Sequence, residues 1–142
     1  MAISSAVYGC FLRDSIANVK AFALNASDVI KQDLVSDTYT NNKDTHDELA
    51  DVTNIVTGTN WAGAVTLASP TWTIASGVAK FDATDVSVAT TTLTGVEGDV
   101  IWDDTIAGDP LLVCVDFGTT YATVAGTFAI TWAAGGIFTI TY

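Results

Sequence analysis

A chain of 142 residues is long enough to build one domain around a single core, and at 49% hydrophobic and 15% charged residues it is too apolar to remain disordered. The formal net charge of −11 is unevenly divided: residues 1–80 carry 5 − 8 = −3, whereas residues 81–142 hold eight acids and no Lys or Arg, 0 − 8 = −8. So acidic a balance argues against nucleic acid or an anionic membrane as direct partner, since both need cations opposite phosphate.

Residues 5–24 have a helical rhythm, with Val7, Phe11, Ile16, Val19 and Phe22 on one face and Arg13, Asp14, Asn18 and Lys20 on the other, which predicts one amphipathic helix. Small residues precede Cys10 in a leader-like way. The stretch has no cation and is too short for a signal, so assembly in a cytoplasm is expected. Asn25-Ala26-Ser27-Asp28 reads as a turn and Val29–Val35 as the first strand. Residues 36–51 are polar and predict a long loop with one helical turn, capped by Asp44 or Thr45 and carrying Asp47 and Glu48 in its first turn.

Short β-like runs follow at Val52–Thr57, Val65–Ala68, Thr71–Ala75, Ala79–Phe81, Val86–Thr94, Val100–Asp103, Leu111–Phe117, Gly126–Trp132 and Ile137–Tyr142, separated by Gly, Pro or acidic turns. The spacing predicts a mainly β chain: a single domain comprising an antiparallel β-sandwich or barrel-like unit over residues 28–142 behind one N-terminal amphipathic helix. In the last two runs, Phe128, Ile130 and Trp132 alternate, as do Phe138, Ile140 and Tyr142, across Ala133-Ala134-Gly135-Gly136. That pattern predicts a terminal hairpin.

The chemistry-bearing residues are sparse. His46 is the sole histidine; Asp44 and Asp47 could orient it, but no nucleophile motif accompanies it, so a solvated loop residue is the expected reading. Asp37, Asp44, Asp47, Glu48 and Asp51 crowd one stretch without the alternation and central Gly of a calcium loop. Cys10 and Cys114 lack metal-site or framework spacing and are expected to be reduced and buried. Glu97-Gly98-Asp99 and Asp103-Asp104 read as solvated turns, and Trp132 as core. Trp61, between Gly58 and Gly63, reads as the tryptophan to find exposed, where an indole could stack on a sugar. The residues nominate no catalytic group, metal ligand or cofactor.

Several segments carry a resemblance. Asp28-Val29-Ile30-Lys31, Leu34-Val35-Ser36-Asp37-Thr38-Tyr39-Thr40, Asp44-Thr45-His46-Asp47 and Asp51 to Thr59 are followed by Val65-Thr66-Leu67, Phe81-Asp82-Ala83, Pro110-Leu111, Val115-Asp116-Phe117-Gly118 and Gly126 to Trp132. Across residues 28–138 this pattern resembles a family of small virion structural proteins of tailed bacteriophages, of the head decoration or minor capsid type. Gln32-Asp33 departs from it by interrupting a strand that is usually more apolar. The resemblance implies a place in the virion and no catalytic residues. The resulting expectation is a non-enzymatic protein that docks on the major capsid protein or other virion proteins, as a homo-oligomer or symmetric array, with Tyr39, Asp44, His46, Asp47 and Trp61 as candidate contacts. The alternative is a tail, fibre or adsorption module that binds host carbohydrate through exposed aromatics.

Overall fold

The computed structural model describes residues 3–25 and 27–142. Met1 and Ala2, at the head of the leader-like stretch, and Ala26, in the predicted turn, lie outside the described residues. In chain order the elements are β1 (Ala6–Val7), α1 (Gly9–Ile16), β2 (Ile30–Ser36), β3 (Ile55–Val56), β4 (Val65–Thr66), β5 (Thr71–Ala75), β6 (Val78–Asp82), β7 (Val86–Asp103), β8 (Leu111–Ile130) and β9 (Phe138–Thr141). Two antiparallel sheets result. The larger runs β1-β8-β7-β2-β3, with β4 also paired to β2, and the smaller runs β5-β6-β9. The chain is mainly β and sandwich-like, as its composition of β-branched runs predicts.

Strand alternation sorts the central residues between two cores. In the register of β2, β7 and β8, Leu34 lies opposite Asp99 and Asp99 opposite Val115, while Asp33 lies opposite Val100 and Val100 opposite Cys114. The first set faces the smaller sheet, where Ile30, Leu34, Ile101 and Val113 pack with Phe81 and Phe138. The second set faces outward, and a cover of Ile3, Tyr8, Cys10, Tyr39 and Val52 buries it. The polar loop after β2 is therefore a lid on a sheet face.

The predicted helix over 5–24 is halved, for two local reasons. Ala6 and Val7 pair with Cys114 and Val113 as an edge strand. At the other end Asn18 adopts a left-handed conformation, φ 55°, with the Val19 N–H donating to the Asp14 carbonyl at 2.9 Å and the Ala17 N–H to Arg13 at 2.8 Å. This six-to-one bond closes a helix with Asn in the position usually taken by Gly. Asn18 belongs to the stop signal, not to a polar helix face.

Four predicted strands merge into two. Val86–Thr94 and Val100–Asp103 are parts of β7, and Leu111–Phe117 and Gly126–Trp132 contribute to β8, which ends at Ile130. Their pairing slips repeatedly, and the residues Thr90, Gly95, Gly118 and Ala125, all at positive φ, sit at slips. Such bulges bend a long hairpin without ending it, which is why Gly and acidic punctuation looked like separate strands.

The predicted terminal hairpin does not form. β9 pairs with β6, Phe138 opposite Phe81, and crosses to the second sheet instead of returning along β8. Gly136 makes the crossing possible: at φ 89° its α-carbon lies so close to β6 that an added Cβ would stand 2.6 Å from the Phe81 carbonyl. The next amide, Ile137, donates to that same carbonyl at 2.8 Å.

Candidate functional site

The five candidate contacts separate into buried and exposed groups. Tyr39 is fully buried. Its hydroxyl lies 2.8 Å from the Tyr8 hydroxyl and 3.0 Å from His46 Nδ1, forming a chain of hydrogen bonds that leads from the sheet to the half-buried His46 ring. Burial raises the Tyr39 phenol to about 12, and burial first, with Cys114 next, raises Tyr8 as well. Both therefore stay neutral hydrogen-bonding groups. Asp47 is half-buried, its carboxylate 3.5 Å from Arg13 Nη2, and its carbonyl accepts from the Leu111 N–H at 3.0 Å. Asp44 is exposed. The fold thus brings Tyr39, His46 and Asp47 together as part of the lid.

Trp61 is the clearest correction. It is 1% exposed and packs edge-on against Phe128, with ring centroids 5.6 Å apart, in the core between the sheets. The turn around it is real, since Gly58 and Trp61 exchange backbone bonds at 2.8 and 3.1 Å, but the turn points the indole inward. Tyr39, the other aromatic contact, is corrected for a similar reason: its ring is a structural peg.

The cap of the lid's helical turn also moves. The turn is a short 3-10 segment at Leu49–Asp51 behind Glu48, and Asp51 supplies the cap. Its carboxylate accepts from the Asp47 N–H at 2.8 Å and the Glu48 N–H at 3.2 Å, which lowers its pKa. Asp44 and Thr45 lie upstream of it. Both thiols are free and buried, as expected, and burial pushes Cys10 up to about 11 and Cys114 to about 12. Neither is a nucleophile at neutral pH.

Two features escaped sequence reading. One is the acids of the central strands. Asp99 and Asp103 are fully buried instead of solvated, and Asp33 is nearly so. The Trp102 Nε1–H donates to Asp33 Oδ2 at 2.9 Å, and Lys31 Nζ lies over the Trp102 ring. Asp103 Oδ1 accepts from the Thr105 and Ile106 amides at 2.9 and 3.3 Å. Burial, with Asp28 alongside, pushes Asp103 up to about 6, and burial alone raises Asp99 well above the usual carboxylate range.

The other feature is an open apolar groove of about 650 Å³ between the smaller sheet and α1 with the segment that follows it. Phe11, Leu12 and Phe22 form one wall; Trp72, Ile74 and Ile140 form the other. Ile16, Ile74 and Tyr142 at its border are 85%, 64% and 74% exposed, and Val19 beside it is 66% exposed. Ile16 and Val19 are two of the apolar residues whose helical spacing predicted burial. Ile16 ends the helix with its side chain in water, and Val19 lies past the helix end.

Among the described residues no group of three or more His, Cys, Asp or Glu is arranged to hold a metal ion, and no helix is long and apolar enough to cross a membrane. The arrangement offers a surface: an apolar groove on a strongly acidic body. Comparison with protein-family models, with curated proteins and with solved structures finds no match to this chain.

Proposed function

We propose that the chain is a non-enzymatic structural component of a tailed-phage particle, a decoration or minor capsid protein that docks on the outer face of the head shell. The observation that carries the docking is the groove between α1 and the β5-β6-β9 sheet, whose rim leaves Ile16 and Tyr142 in water, with exposed Val19 beside it. A contiguous apolar patch on an otherwise charged exterior is the usual mark of a surface that a partner covers. The sequence resemblance over residues 28–138 supports a phage particle as the setting. A shell suits such a protein because a modest free energy per contact is repeated at every symmetry-related site.

In this reading the docking contacts lie on the groove rim, with exposed Asp44 and half-buried His46 and Asp47 on the separate lid surface. The carbohydrate-binding alternative rests on exposed aromatics, of which Trp61 was the one named, and the core takes that ring.

The test is quantitative mass spectrometry of gradient-purified particles, taking the copy number relative to the major shell subunit. A count on the order of hundreds per particle is expected for a shell decoration. A handful would place the chain in the tail or neck, and none would end the virion reading. Ile16→Asp and Val19→Asp alter exposed side chains, so they should leave the fold intact while reducing incorporation by about tenfold or more.

A further inference from the structure

β5 is an edge strand, and among the described residues no backbone hydrogen bond reaches its open side. It also lacks the features that usually blunt such an edge, since Thr-Trp-Thr-Ile-Ala contains no charge and no proline. Which of its groups face outward follows from the hairpin. Ser76 and Gly77 connect β5 to β6 with φ 51° and 79°, a tight turn that makes Ala75 and Val78 the closing hydrogen-bonded pair. Bonded and non-bonded pairs then alternate. Thr71, Thr73 and Ala75 bond to β6, and the N–H and C=O groups of Trp72 and Ile74 point to the open edge.

A second copy running antiparallel presents the same two residues. With the two-fold axis at Thr73, Trp72 of each copy meets Ile74 of the other, and both outward pairs are satisfied. Moving the axis to Trp72 sets Ile74 against Pro70, which has no N–H. Moving it to Ile74 sets Trp72 against Ser76, inside the turn. Side chains favour the Thr73 axis too. Trp72 and Ile74 share the apolar face, opposite Phe81 and Ala79, so pairing seats each exposed Ile74 beside an indole of the other copy. Two chains of net charge −11 repel overall, but the edge strand itself brings no acid into the contact.

We infer that β5 is a self-complementary dimer edge, where two copies pair antiparallel about Thr73 into one continuous sheet, β9-β6-β5-β5-β6-β9. The inference stands on the strand itself and is independent of the virion reading. The axis lies perpendicular to the sheet, so both apolar grooves open on the same side and a dimer presents two docking sites to one surface.

Thr73 is exposed, and in this register its side chain meets Thr73 of the second copy in a close, non-hydrogen-bonded pair. The experiment is sedimentation velocity of the full 14.8 kDa chain over a dilution series, for the wild type, Thr73→Lys, Thr73→Glu and an equimolar mixture of the two variants. The wild type is expected to dimerise and to dissociate on dilution. Each variant alone should associate about tenfold more weakly or worse, and the mixture should regain the dimer through opposite charges. Thr73→Cys should form a disulfide-linked dimer under mild oxidation, since both native thiols are buried. A wild type monomeric up to about 100 µM overturns the inference, as does a Thr73→Lys chain that dimerises as tightly as the wild type.

Discussion

Tyr39 illustrates how one side chain can look functional and be structural. An aromatic in a polar, acid-rich loop reads as a contact residue, yet its ring fills the outer core and its hydroxyl joins Tyr8 to His46. Removing that hydroxyl would leave the buried Tyr8 hydroxyl without its described side-chain partner. Tyr39→Phe is therefore expected to cost about 1–3 kcal/mol in urea unfolding at neutral pH, with the native far-UV spectrum kept. A change of a few tenths would mean that the hydrogen-bonded chain is incidental. Trp61 carries the opposite chemistry. Its indole contributes area rather than a hydrogen bond, since Nε1 has no described partner. Trp61→Ala should lose roughly 3–5 kcal/mol through the cavity left against Phe128. A binding role at the surface would instead predict little loss of stability.

At the scale of elements, the segments with strong local signals were legible. Thr71–Ala75 is the strand that its Thr, Trp and Ile content predicts, and β2 lies within one residue of its expected ends. Signals that depend on tertiary contact were not. Alternation in the last two runs is genuine, but alternation says which side chains share a face and not which strand lies alongside. Gly136 decided the partner by allowing contact with β6. The groove was hidden in the same way, because 3.6-residue periodicity continued past Asn18 although the helix did not. Two consequences can be measured. Asn18→Gly should stabilise the chain by a few tenths to about 1 kcal/mol, since Gly adopts the left-handed cap without a Cβ, whereas Asn18→Val should destabilise it by about 1 kcal/mol or more. Equal effects of the two would contradict a left-handed cap. β9 supplies Phe138, which packs against Phe11, Trp72 and Phe81, and it pairs along β6. Deleting residues 138–142 should abolish cooperative unfolding, and a truncated chain with a native-like thermal transition would show that the smaller sheet is dispensable.

For the molecule as a whole, the unusual feature is where the acids sit. Much of a net charge of −11 lies at the surface, but Asp33, Asp99 and Asp103 are buried along the paired central strands β2 and β7. All three have raised pKa values, led by burial, and among the described residues Asp99 has no hydrogen-bond partner for either oxygen. Cys114, on the strand beside Asp99, is itself held neutral, and Lys31 and Trp102 relieve only Asp33. A carboxyl with a raised folded-state pKa binds more protons in the native state than in the unfolded chain, whose carboxyls titrate near about 4. Its contribution is complete below that value and is lost as pH rises through the folded pKa. For Asp103 the loss runs from about 4 to about 6; for Asp99 it continues higher. Asp51 has the opposite sign, but it is exposed and offsets little. The molecule should therefore be more stable at mildly acidic than at neutral pH, with a slope of up to about 1.4 kcal/mol per pH unit for each carboxyl titrating. Asp99→Asn keeps the shape and removes the charge, so it should flatten the upper part of that slope and raise neutral-pH stability by on the order of 1–3 kcal/mol. Urea midpoints measured from pH 4 to 8 for both proteins decide it. A wild-type profile that is flat or rises toward neutrality would mean that these acids reach water or a counter-charge in solution, and the burial that distinguishes the central strands would have no energetic consequence.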